Sequence, residues 1–182
     1  MQRPLRTLAW LGLALLFMAG LACSKKNAAL GGQSSPLYTG KEAKRKVQLS
    51  FPARSQTGFV SVEREIYATP SLVNQAKQVL QLLMAGPTDS EKQAAAPFGK
   101  NASFRELFLD GQGLAVIDLP MATAQGLSGG TSAEVATLFS IVRTFTANIQ
   151  GVGRVQILID GQPAPSLSGH VDTMDPLTLA DF

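Results

Sequence analysis

Residues 129–161, GGTSAEVATLFSIVRTFTANIQGVGRVQILIDG, constrain the fold more than any other stretch, because the period of their apolar residues changes once and sharply. Val135, Leu138, Phe139, Val142, Phe145 and Ile149 recur at three- and four-residue steps, which places them on one face of an α-helix. Thr131 and Glu134 have the spacing of a capping box, so the hydroxyl is expected to accept from the N3 amide while the carboxylate reaches back to the N-cap. Gly151 closes the helical pattern at no steric cost, and Val155 to Ile159 follow as an almost unbroken apolar run. A strand apolar on both faces belongs in the middle of a sheet.

The rest of the chain can be read around this unit. Val47, Leu49 and Phe51 alternate with Gln48 and Ser50 up to Pro52, and Val60, Val62, Arg64 and Ile66 alternate with Ser61, Glu63 and Glu65, so the two runs read as a hairpin. Thr69-Pro70 is expected to open a helix whose apolar face is Leu72, Val73, Ala76, Val79, Leu80, Leu83 and Met84, ended by Gly86-Pro87. Residues 88–102 lose the pattern and read as a surface loop. Runs 104–110 and 114–119 flank a turn signalled by Asp110-Gly111, residues 122–130 read as a second loop, and 164–167 as an edge segment restricted by Pro163 and Pro165. The order β-β-α-β-β-α-β predicts an α+β fold, a two-layer sandwich with one mixed or antiparallel sheet and both helices packed on one of its faces.

The N-terminus carries Arg3 and Arg6, then an apolar run from Leu8 to Ala22 that is long enough for a signal peptide and short for a membrane span. Gly20-Leu21-Ala22-Cys23 resembles the lipobox of bacterial lipoproteins, although Gly20 stands where that pattern has a larger apolar residue. The expected division is a signal peptide at 1–22, an acylated Cys23 carrying chains such as palmitate, a basic flexible linker to residue 46, a folded domain at 47–177 and a tail at 178–182. Cys23 is the one cysteine of the chain, which excludes an intramolecular disulfide. Six Lys or Arg stand against one Glu in residues 24–46, whereas residues 47–182 hold eight against twelve Asp or Glu. The net charge of +3 therefore belongs to the leader and linker and does not point to nucleic acid. The linker lysines either lie on anionic headgroups, at about 1 kcal/mol each, or keep the tether solvated.

The pieces VQLSFP at 47–52, VSVEREI at 60–66, LLMAGP at 82–87, LFLDGQGLAVIDL at 107–119, the run 139–162 and LSGHVDTMDPL at 167–177 resemble, in order and spacing, the GerMN domain. That family is named for the sporulation and germination protein GerM. The resemblance implies a membrane-anchored envelope protein with an assembly role and no known reaction.

The residues themselves offer little chemistry. His170 lies in Ser168-Gly169-His170-Val171-Asp172, but three triad-type residues in one short segment rarely meet in the required geometry, and no nucleophile elbow is present. His170, Asp172 and Asp175 supply a single nitrogen ligand, too little for a metal site of the zinc type. No catalytic residue, metal site or cofactor is assigned. Local hydrogen bonding that fixes the tail is the leading role for His170 and Asp172, with partner contact as the alternative. Arg64 shares a strand face with Val60, Val62 and Ile66 and is expected to pair with Asp118 or Glu106. Gly129-Gly130 reads as a capping loop, since no phosphate-binding lysine accompanies it.

The expectation is a non-catalytic, lipid-anchored envelope protein, held to the membrane through Cys23. Its partner is another envelope protein or a second copy of itself, met through a sheet edge. Ser24 after the lipid cysteine favours the outer membrane in a cell that has one. The alternative is a small envelope hydrolase or cell-wall ligand binder working through His170, Asp172 and Arg64.

Overall fold

Alternating apolar residues build the first hairpin. The computed structural model describes residues 36–127 and 129–182. In it β1 (Lys44–Pro52) buries Val47, Leu49 and Phe51, and β2 (Phe59–Tyr67) buries Val62 and Ile66. The strands run antiparallel, with Leu49 facing Val62 and Val47 facing Arg64. Helix α1 (Leu72–Ala85) follows, and its cap is Ser71, whose hydroxyl accepts from the Asn74 amide at 3.2 Å. The start thus falls two residues beyond Pro70, the expected first helical position, because Ser71 is the residue that can satisfy an orphan N–H of the first turn. Gly86, at φ 75°, ends the helix where the sequence indicates.

Strands β3 (Glu106–Leu109) and β4 (Leu114–Leu119) form the second hairpin. Asp110 shapes its turn by accepting from the amides of Gln112 and Leu114 at 2.7 and 2.9 Å. A short helix α2 (Met121–Gln125) occupies part of what reads as loop in the sequence, too short to show a helical period. Helix α3 (Gly130–Asn148) then carries the chain back, so that β5 (Arg154–Ile159) lies parallel to β4. Parallel neighbours need such a crossover. The two-residue β6 (Gln162–Pro163) pairs with the far side of β5, which makes β5 an interior strand as its apolar run demands.

The α+β class holds, and the arrangement of strands differs from the single sheet expected. There are two sheets, β1-β2 and β3-β4-β5-β6, and helices α1 and α3 each contact both. The reason lies in the outer edge of β1. Its Gln48 amide donates to Asn148 Oδ1 at 2.8 Å and its Ser50 amide to Thr144 Oγ1 at 3.0 Å, so side chains of α3 occupy the positions a neighbouring strand would need. Farther along, Pro52 O accepts from the Ala95 amide and the Arg54 amide donates to Gln93 O. One continuous apolar core runs through both sheets and both helices, from Leu49 and Phe51 through Leu80, Leu83 and Phe145 to Ile157.

The folded unit is also wider than residues 47–177. Tyr38 stacks on Tyr67 with ring centroids 4.3 Å apart, and Lys44, Arg45 and Lys46 lie within β1 rather than in a linker. Lys44 pairs with Glu65 at 3.2 Å and Lys46 with Glu63 at 2.7 Å, while Arg45 donates to Gln75 Oε1 and to the Asn148 carbonyl. These three cations act within the domain. At the other end Thr178 caps a single 3-10 turn (Leu179–Asp181), and Phe182 packs edge-on against Phe139.

Candidate interaction surface

Helix α3 has no side-chain N-cap; Gly129 fills that position at φ 119°. Glu134 does not close a capping box with Thr131. It is fully buried, and its carboxylate accepts from the backbone amides of Leu167, Ser168 and His170, each at 2.8 Å, and faces His170 Nδ1 at 3.0 Å. Burial pushes its pKa up, but the hydrogen bonds from Ser168 and His170 outweigh this and leave it below the ordinary glutamate value. Glu134 stands four residues before Leu138 and eight before Val142, so a charge on the buried stripe of the helix was the available sign that something must come to meet it.

What comes to meet it is the C-terminal segment, which forms a strap over the second sheet. Leu167, Thr173 and Leu177 are buried. Leu177 exchanges both backbone hydrogen bonds with Val155, and Gln156 Nε2 donates to the Thr173 carbonyl at 2.8 Å, so the outer side of β5 is closed beyond β6. Asp172 turns the strap locally, accepting from the Met174 amide at 2.9 Å.

Arg64 is paired with Glu91, neither Asp118 nor Glu106. Its Nε donates to Glu91 Oε1 at 3.0 Å, and its Nη2 reaches Glu91 Oε2 and the Gly86 carbonyl. Both side chains are about four-fifths buried, and the contact holds Glu91 below the ordinary carboxylate range. The division into two sheets explains the change of partner. Asp118 and Glu106 belong to the other sheet, where they meet Arg105 and Lys77, and the loop after α1 folds beneath β2 instead. No hydrogen bond or ion pair links any two of Arg64, His170 and Asp172, and among the described residues no group of three or more His, Cys, Asp or Glu converges to hold a metal. Cys23 lies outside the described residues.

The two strands of the first hairpin present different edges. The bonds Ala53 N–H to Gly58 O and Ala68 N–H to Ala43 O fix which backbone groups face inward, so odd residues of β1 bond to even residues of β2. The even residues of β1 point outward and meet α3 and residues 93–95. On β2 the outward groups belong to Phe59, Ser61, Glu63, Glu65 and Tyr67. Tyr67 is satisfied by Gln78, which both accepts from its amide and donates to its carbonyl. From Phe59 to Glu65 the outward amides and carbonyls have no partner among the described residues.

Beside the turn of this hairpin lies an open groove of about 940 Å³, lined by Pro52, Arg54, Pro97, Phe98, Leu127 and Val135 among others. Its floor is kept low by Gly99, where a Cβ would stand 2.5 Å from the Gly126 carbonyl oxygen. Phe59 packs at a tilt against Phe139, with ring centroids 4.3 Å apart, and with Phe182 they make an aromatic cluster on α3.

A small α+β domain of two hairpins and two long helices, with its buried charges each tied to structure, is thus defined. The chain belongs to the Germane family, described as sporulation and spore germination, whose model matches residues 38–165. The strap from residue 166 onward lies beyond that match. Solved structures that share the fold include a lipoprotein candidate of Clostridium perfringens, 22% identical, with a TM-score of 0.56 over 76% of this chain and 90% of that one. The tandem GerMN domains of the sporulation protein GerM from Bacillus subtilis are 16% identical, with a TM-score of 0.59 over 76% of this chain and 47% of that one. The first GerMN domain of the same protein is 17% identical, with a TM-score of 0.57 over 75% of this chain and 98% of that one. The described residues hold one copy of the domain, against two in the tandem structure. A comparison with curated protein sequences finds no match.

Proposed function

We propose that the protein is a non-catalytic, lipid-anchored module of the bacterial envelope that works by binding another envelope protein. The observation that carries this reading is the use of its candidate chemical groups. Arg64 is occupied by Glu91, His170 by Glu134, and Asp172 by its own turn, each in a separate structural contact. The Germane membership and the lipobox-like Gly20-Leu21-Ala22-Cys23 add to it, as does the fold shared with a lipoprotein candidate. The anchor is a proposal from sequence: Cys23 would carry the acyl chains and the basic residues Lys25 and Lys26 would follow it at the membrane surface.

Two experiments test the reading. With labelled palmitate supplied to cells, the full-length protein should take up label and sediment with membranes, and Cys23→Ala should do neither; label retained by that variant would overturn the anchor. Replacing His170 with Ala should lower the melting temperature by a few degrees, as expected for roughly 1 kcal/mol in a domain of this size. If instead that variant keeps its stability and loses hydrolysis of purified cell-wall fragments that the parent protein performs, the protein is an enzyme.

A further inference from the structure

Among the described residues the β2 edge is open over seven residues, Phe59 to Glu65, or about 20 Å of extended chain. Exposed edges of this length are ordinarily blunted by proline, a bulge or lysine, or covered. Among the described residues β1 is covered by α3 and residues 93–95 and β5 by β6 and the strap, while the outer strand β3 is only four residues long. On β2 the register with β1 is unbroken through nine facing pairs, and the stretch contains no proline. The one inward-facing charge, Arg64, is already neutralised by Glu91, so it does not repel an incoming strand.

The side chains along this edge state what kind of strand fits. On the solvent face it presents Ser61, Glu63 and Glu65, with the two glutamates about half exposed. On the other face it presents Val60, Val62 and Ile66. β1 already meets these carboxylates from the inner side with Lys44 and Lys46, and apolar Val47, Leu49 and Phe51 lie on its core face. A second β2 is a poor match. In the antiparallel register that uses the whole free stretch it sets the two Glu63 carboxylates diagonally across the seam and brings no cation to any of the four glutamates.

Resting on the reading of the protein as a binding module, we propose that the outer edge of β2 is the docking site for an extended partner segment that alternates Lys or Arg with apolar residues. The segment adds as a strand, its backbone satisfying the groups of Phe59, Ser61, Glu63 and Glu65. Its basic side chains lie beside Glu63 and Glu65, and its apolar ones extend the face of Val60 and Val62. The strand thus mirrors on the outer side what β1 does on the inner side.

The test uses isotope-labelled full-length protein in detergent micelles and a nine-residue peptide alternating lysine with valine. A glutamate–valine peptide serves as comparison. The lysine peptide should slow hydrogen exchange at the Ser61, Glu63 and Glu65 amides at least about tenfold, weakening as salt is raised, and the glutamate peptide should not. Glu63→Pro removes an outward N–H that bonds to nothing among the described residues, and it should abolish that protection. Should the proline variant fail to fold, the double variant Glu63→Lys with Glu65→Lys serves instead; it should bind the lysine peptide at least about fivefold more weakly and reverse the preference between peptides. Equal binding of the two peptides, or no protection at these amides, overturns the proposal. So does protection in the peptide-free protein that grows with its concentration, which assigns the edge to a second copy. Any of these failures leaves the non-catalytic, lipid-anchored reading to the Cys23 and His170 experiments, which do not depend on the β2 edge.

Discussion

The two edges of the first hairpin lie one strand apart and have been treated in opposite ways. On β1 the outward amides of Gln48 and Ser50 are met by Asn148 and Thr144, polar residues of helix α3. On β2 the equivalent groups between Phe59 and Glu65 meet nothing among the described residues. Closing an edge with helix side chains places polar atoms in the core, and each such atom then becomes a position where a substitution orphans a backbone group. The closed edges should therefore be sensitive to single substitutions and the open one tolerant.

The largest effect is expected where the closure is most buried. Glu134→Ala removes the acceptor of three backbone amides and the partner of His170 Nδ1, and should cost about 3 kcal/mol in denaturant unfolding, with the strap residues 167–177 losing hydrogen-exchange protection first. Thr144→Val keeps the shape of the side chain and orphans the Ser50 amide, which is buried, so a loss of about 1–2 kcal/mol is expected by the same measurement. Acid comes next. Glu134 and Glu91 both titrate below the ordinary glutamate value of 4.5 in the folded protein, so what they contribute is fully present above about pH 4.5 and is lost as pH falls through their folded values. Thermal melts should decline over that acidic range, and Glu134→Gln should decline less steeply than the parent. The smallest effect is expected from Glu63→Pro, within about 1 kcal/mol, since no backbone hydrogen bond is lost on the outer side of an edge strand and the side-chain contacts removed, with Lys46 and Gln48, are exposed ones. A loss as large as that of Thr144→Val would mean that the β2 edge is already in use.

Much of this architecture was legible from periodicity. The helical stripe from Leu138 to Ile149 and the alternation of β1 and β2 both record burial directly, and the apolar run of β5 foretold its interior place. The separation into two sheets was not legible, because it turns on Thr144 and Asn148, whose spacing matches the apolar stripe of the helix and carries no strand-like signal. The capping box failed for a related reason. Local spacing pairs Glu134 with Thr131, but three amides from residues 167–170 offer the same carboxylate a better set of donors inside the fold. The alternation of β2 shows that Arg64 must be paired; its partner depends on which strands share a sheet, so Glu91, in a stretch without periodicity, is hidden from sequence.

The position of Lys44 has a mechanical consequence. Chain arriving from the N-terminal side enters the domain along β1, while a strand docked on β2 would hold the opposite side of the same hairpin. If the docked segment leaves at the Pro52–Phe59 end, a pull between it and the N-terminal chain would act lengthwise on the nine facing pairs, sharing the force among all their hydrogen bonds at once rather than peeling them one by one. A hairpin loaded in this direction resists as a lap joint does, and Tyr38 stacked on Tyr67 sits at the end where such a joint first opens.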